Sequence, residues 1–290
     1  MIDNKELERI FRQHSRLSDE RSLNAWLTYD TLCRYRDWVP SPRRGETRLL
    51  EVGCYQPSVG YYFHLGWKDV LGCFKEEGQC NKQFAYQDGE ARASMTAVDA
   101  ERERLRAADG WADAVIMMEV FEHFAIDPMH ALWEANRVLK PGGRIVFSTP
   151  NATSFDSLIR IIQGRCPIGS LEFNGFSANR HNRIYDAREI AEILDQAGFR
   201  LETVTSRSYD LSVRGWKGKL LRRLVRSGDR IWQRGYGRPI ERDSWLFVRA
   251  VKEGLPKERY PLNLYFDESQ WPEWFAALRK GSGKAIAGPG

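Results

Sequence analysis

Three apolar runs in this chain each stop on polar or glycine residues: Arg48-Leu-Leu-Glu-Val-Gly-Cys54, Ala112-Asp-Ala-Val-Ile-Met-Met-Glu-Val-Phe-Glu-His-Phe124, and Arg137-Val-Leu-Lys-Pro-Gly-Gly-Arg-Ile-Val-Phe-Ser-Thr-Pro-Asn151. Near-continuous apolar strands are what a parallel sheet needs, because helices cover both of its faces. In such a sheet ligands bind outside the carboxyl ends of the strands. Three polar-ended runs therefore imply one cleft.

A chain of 290 residues with 42% hydrophobic content buries a sizeable core and reads as one large domain with appendages. No run approaches the roughly 18 consecutive apolar residues of a membrane span. The opening Met1-Ile-Asp-Asn-Lys-Glu lacks the basic-then-apolar order of an export signal. The expected location is the cytoplasm, with peripheral attachment to the inner face of the membrane left open. Cysteines 33, 54, 73, 80 and 166 form no Cys-x-x-Cys pair and no Cys/His cluster with zinc spacing, so neither disulfides nor a metal is expected. The charge is uneven: residues 214–242 hold ten Lys/Arg against Asp229 and Glu241, a local +8, and with the total at +5 the remainder carries −3.

The periodicity predicts helices over 4–14 and 19–36, and Pro40 and Pro42 then open a linker. Strands follow at 48–53, 69–74, 95–98, 114–118 and 144–148, with a short helical or turn segment at 61–66 and a helix over 128–139. Residues 151–182 read as a helix and a long loop over the cleft. Asp186–Ala197 reads as a helix closed by Gly198 in the left-handed region, and 199–207 and 244–251 read as two last strands. Strand and helix in alternation specify a doubly wound sheet. The expected organisation is a helical extension over 1–44, a main domain over 45–254 with a basic helical insertion at 214–242, and a C-terminal extension and flexible tail over 255–290.

The residues at the strand ends resemble those of class I S-adenosylmethionine-dependent methyltransferases. Glu51-Val-Gly-Cys54 resembles that family's first motif, Met118-Glu-Val-Phe-Glu-His123 its fourth-strand motif, and Arg137-Val-Leu-Lys-Pro-Gly-Gly143 the turn before strand five. The resemblance covers roughly residues 45–205 by motif placement. It implies a Rossmann-like seven-stranded sheet, methyl transfer, and S-adenosyl-L-methionine as cofactor. On this resemblance Glu51, Gly53, Cys54 and Tyr55 serve the methionine part, Asp99 and Ala100 meet the adenine edge, and Glu119 and Val120 border the site. Tyr55-Gln-Pro57 stands where the family repeats glycine, and Phe74 stands where it usually has the ribose-binding acid, which leaves Glu76 or Glu77 for the ribose hydroxyls. His181-Asn-Arg-Ile-Tyr185 and Lys257–Tyr265 resemble elements of the methyltransferases of bacterial glycan and cell-envelope pathways.

A saccharide hydroxyl is a poor nucleophile and gains from a nearby base, for which His181 and His123 are the candidates by residue type. Arg183 and Tyr185 are the candidates for orienting the acceptor. The expected activity is O-methylation of a saccharide; the alternatives are a small-molecule or natural-product methyltransferase and a noncatalytic methyltransferase-like subunit. Three readings stay open for the basic segment: an amphipathic helix at a membrane surface, a site for anionic phosphates, or a helix whose apolar face covers the sheet. Nucleic acid ranks lowest because no recognised RNA or DNA module accompanies it. A homo-oligomer is compatible with the sequence.

Overall fold

The computed structural model describes residues 3–15, 32–54, 56–75, 84–168, 181–208, 216–236, 240–257, 260–261 and 264. Within these, eight strands form one sheet: β1 (Arg48–Val52), β2 (Asp69–Phe74), β3 (Phe84–Asp88), β4 (Ala91–Ala97), β5 (Ala112–Met118), β6 (Leu139–Pro150), β7 (Phe199–Arg207) and β8 (Trp245–Lys252). Their spatial order is β3-β4-β2-β1-β5-β6-β8-β7. The pairs β4–β2, β2–β1, β1–β5 and β5–β6 are parallel, and β8 is inserted antiparallel between β6 and β7. The chain leaves β1 toward β2 on one side and resumes at β5 on the other, so the topological switch point lies between β1 and β5, where ligands of such sheets bind.

Seven of these strands are the ones expected. The eighth, β3, pairs antiparallel with β4 through a tight turn at Gly89, φ +58°. Its sequence Phe-Ala-Tyr-Gln-Asp offers too short an alternation to be read alone. The fifth expected strand is also longer. The Lys140-Pro-Gly-Gly143 turn lies inside β6, where Gly142 has φ +74° and the pairing with β5 shifts between Ala112 and Ala114.

Every residue of β5 is buried, as a central parallel strand requires. Helices α1 (Asn4–Ser15) and α2 (Gln56–His64) pack on one another on one side of the sheet. There Leu7, Leu32, Tyr35 and Trp38 join Leu49, Tyr62 and Ile116 in a single core cluster. On the other side α3 (Pro128–Val138) and α5 (Ala187–Gln196) bury Leu132, Ala135, Ile190 and Leu194 with Val115 and Phe147. Each large apolar side chain so buried contributes about 1.5–3 kcal/mol.

The helix ends are set by local chemistry. Asp127 caps α3 ahead of Pro128, and Asp186 with Glu189 forms a capping box on α5; such caps contribute about 1 kcal/mol each. Gly198 ends α5 at φ +81°, as its position predicted, and a Cβ there would lie 2.7 Å from the carbonyls of Gly254 and Leu255. The loop over 151–168 contains α4 (Phe155–Ile162), capped by Ser154. The basic insertion contains α6 (Trp216–Tyr236), which packs against α4. Among the described residues no helix is long and apolar enough to cross a membrane. Among the described residues, Cys33, Cys54, Cys73 and Cys166 form no disulfide with one another.

Candidate active site

The carboxyl ends of β1, β2, β4 and β5 enclose a cavity of about 150 Å³. Its floor is Gly53 and Val120, its apolar walls include Val98, Met118 and Phe124, and Asp99, Glu119 and His123 supply the polar groups. A larger depression of about 690 Å³ lies along the face of β2 and β4 by Arg106 and Trp111. It lies away from the strand carboxyl ends, so the smaller cavity is the candidate site by topology.

Gly53 is indispensable to that floor. It has φ +77°, and a Cβ there would lie 2.4 Å from Val120 Cγ2. The backbone N–H groups of Gly53 and Cys54 both donate to the Cys73 carbonyl, at 2.8 and 3.0 Å, locking the turn to β2. Cys54 turns its thiol into the core, where Gly72 makes room: a Cβ on Gly72 would lie 2.7 Å from Cys54 Sγ.

Glu51 does not face the cavity. Its carboxylate is buried behind the turn and accepts hydrogen bonds from Ser58 Oγ (2.8 Å) and Tyr62 Oη (2.5 Å). Burial pushes this carboxyl up to about 7, against the opposing pull of hydrogen bonds from Cys54, Tyr62 and Ser58. The expectation that Glu51 meets the cofactor's ammonium is thereby replaced: it ties β1 to α2.

Asp99 and Ala100 follow β4 at the cavity wall. Asp99 Oδ1 accepts from the Glu101 N–H at 3.1 Å, and Lys75 Nζ stands 3.8 Å from its other oxygen. Glu101 in turn accepts from the N–H groups of Ile126 (2.6 Å) and Asp127 (3.1 Å), which closes the loop after β5 around the cavity. Tyr55, Glu76 and Glu77 lie outside the described residues. The ring of Phe74 is buried and forms part of the wall without closing the cavity.

Glu119 is the one described non-glycine residue with positive φ, +54°, a conformation that side chains adopt at a cost and that clusters at functional sites. The arrangement is over-determined. Its N–H donates to the Ser148 carbonyl and Oγ, and its carboxylate takes Arg34 Nη1 at 3.1 and 3.3 Å. Arg34 also stacks over Trp245.

The Phe121–His123 3₁₀ turn follows. The rings of His123 and His181 meet edge to face, centroids 5.0 Å apart. Asn182 fixes this approach by donating its N–H to the Glu122 carbonyl and its side-chain amide to the His123 carbonyl, each at 2.7 Å. Beneath them Glu122 is fully buried, and burial, reinforced by the Glu119 charge, pushes its carboxyl well above the usual range. Thr149 stands near enough to lower it, yet neither carboxylate oxygen makes a geometrically sound hydrogen bond to a described group. Ligand atoms of Glu122, His123 and His181 lie within 4.8 Å of one another.

The two residues expected to orient an acceptor sit elsewhere. Tyr185 is 1% exposed and packs its ring on Phe121 in the main core, with centroids 5.0 Å apart. Its apolar body completes the core, and its backbone bridges to Asn151, just past the end of β6. Arg183 is bound to Glu189 at 2.6 Å on the surface. The residues that sequence reasoning passed over are Arg34, Lys75, Glu122 and Asn182. Glu122 alone carried a signal, as the second acid of the Glu119-x-x-Glu-His123 motif.

The methyltransferase domain family matches residues 4–204. The chain belongs to this family. It is a methyltransferase, and its cofactor is S-adenosylmethionine. The ubiquinone biosynthesis O-methyltransferase of Acinetobacter baylyi is 26% identical over 56% of this chain and 67% of its own length. The glycine/sarcosine/dimethylglycine N-methyltransferase of Actinopolyspora halophila is 26% identical over 71% of this chain, which spans only 37% of that protein. A solved S-adenosylmethionine-dependent methyltransferase from Archaeoglobus fulgidus covers 76% of this methyltransferase and 92% of its own chain at 19% identity and a TM-score of 0.45.

The residues present fit part of this cofactor directly. A glycine floor that excludes even a methyl group, apolar walls and an acid at one edge suit a flat base with an exocyclic amine. The enclosed volume of about 150 Å³ is below the ~300–1,000 Å³ of whole small-molecule sites. A volume of that size suits the base alone.

Proposed function

We propose that this methyltransferase O-methylates a saccharide hydroxyl in cell-envelope or exported-glycan biosynthesis. The observation that carries the O-methyl reading is the His123–His181 pair beside the cavity. A hydroxyl must lose its proton as it attacks, and a positioned base contributes about 10²–10⁴-fold. S-adenosylmethionine supplies an electrophilic methyl group on a sulfonium sulfur. With the cofactor bound, His181 would take the acceptor's proton on a ring nitrogen as the acceptor oxygen bonds to the methyl carbon and the S–CH3 bond breaks to leave a neutral thioether. His123 braces the His181 ring, and Asn182 holds the two segments together. Asp99 and Ala100 read the adenine edge over the Gly53–Val120 floor, and Glu76 and Tyr55 keep their expected roles toward the ribose and methionine parts.

The saccharide assignment rests on the resemblance of residues 181–185 and 257–265 to elements of glycan-pathway methyltransferases. A second reading, a non-sugar small molecule, is favoured by the relative named for ubiquinone biosynthesis. Cofactor turnover measured across sugar and non-sugar acceptor panels decides between them. Titration calorimetry with S-adenosylmethionine and its demethylated product tests for a noncatalytic subunit, since failure of both to bind selects that role.

A further inference from the structure

We infer that helix α6 is an in-plane anchor for an anionic lipid bilayer. Leu220, Leu224 and Ile231 are 50%, 61% and 71% exposed. At 3.6 residues per turn they fall within about 40° of one another around the helix axis. Asp229 and Gln233 lie roughly opposite, and they attach the helix to the protein. Asp229 pairs with Arg242 at 2.7 Å, and Gln233 contacts the backbone of Ile240 on both its N–H and its carbonyl. Arg242 continues the attachment by donating to the Thr153 carbonyl.

The ridge of Leu220, Leu224 and Ile231 therefore points away from the fold. The exposed Arg223, Arg230 and Arg234 run along one flank of that stripe, about 90° from its centre. An outward apolar ridge flanked by guanidinium groups is the pattern of a helix lying in a membrane interface. On α4, which packs against α6, Ile161 and Ile162 add apolar surface at 55% and 60% exposure.

Charge selects the occupant. The +8 carried by residues 214–242 repels a second copy of the same face and attracts lipid phosphates. A nucleic-acid backbone would satisfy the arginines and leave three large aliphatic side chains in water; a bilayer takes both. The position of α6 adds a consequence. It leads into Trp245, which pairs with Pro150 at the carboxyl end of β6, so the anchor stands on the same sheet edge as the cavity. On the function proposed above, docking brings a membrane-borne acceptor to the site.

The test is sedimentation of the full chain with phosphatidylcholine vesicles, with and without phosphatidylglycerol. Binding is expected to the anionic vesicles, to weaken with salt, and to fall about tenfold or more in Leu224→Asp, in Ile231→Asp and in Arg223→Glu/Arg230→Glu. Calorimetric affinity for S-adenosylmethionine, unchanged in all three, establishes that they fold and separates this proposal from the catalytic one. Three results overturn it: no binding of the wild type to anionic vesicles, wild-type binding by both aspartate variants, or duplex binding that is as tight as lipid binding and indifferent to Leu224→Asp. A dimer dissolved by Leu224→Asp, without lipid binding, assigns the ridge to a second copy instead.

Discussion

The α-carbon of Gly53 faces the side chain of Val120 across the site floor, with 2.4 Å between Val120 Cγ2 and the place where a Cβ would stand. The turns that follow β1 and β5 thus meet through the Val120 side chain, and both residues line the cavity.

Substitution of Gly53 by alanine combines a strained positive φ with this overlap. The expected result is about 1–3 kcal/mol of lost stability and at least tenfold weaker binding of S-adenosylmethionine. Gly53→Arg should abolish binding. Calorimetry reads both, and wild-type affinity in Gly53→Ala removes the cavity from the cofactor site.

His181→Ala is expected to lower turnover about 10²–10⁴-fold with cofactor affinity nearly intact. His123→Ala should fall less far, because it braces the base without receiving the proton. Chelation bears on the same cluster. For a proton-transfer role, exhaustive treatment with a chelator leaves turnover unchanged, whereas loss restored by a divalent cation reassigns Glu122, His123 and His181 to cation binding.

The buried Glu51 carboxyl, pushed up to about 7 from an unfolded value near 4.5, makes stability pH-dependent. The folded state binds the extra proton, so the contribution is fully present below the unfolded pKa and is lost as pH rises from about 4.5 through 7. The full effect is of order 3 kcal/mol. Denaturation at pH 5 to 8 should show the wild type losing stability relative to Glu51→Gln as pH rises. Parallel pH profiles for the two proteins would count against this account.

Arg34→Ala leaves the Glu119 carboxylate, held at an unfavourable backbone angle, without its guanidinium. A loss of about 1–3 kcal/mol is expected, together with weaker cofactor binding because Glu119 borders the cavity. Equal thermal midpoints for the variant and the wild type would show that the turn is held without Arg34.

Sequence by itself determined the seven main strands and the parallel character of the central five, because burial on both faces writes itself as continuous apolar runs such as 112–118. It also placed Gly53, Asp99 and His123 at strand ends, where all three line one cavity, since turns and strand ends are local. Tertiary structure alone decided which way side chains point once elements pack. Glu51 and Tyr185 carry polar groups that suggest a site, yet α2 claims the first and the Phe121 cluster the second. Arg34 reaches Glu119 across 85 positions of chain, a pairing that no local spacing encodes. The apolar stripe of α6 was equally legible as core or as surface, because helical periodicity fixes which residues share a face and leaves open what that face meets. The Asp229–Arg242 and Gln233–Ile240 contacts lie on the side opposite Leu220, Leu224 and Ile231, which are exposed.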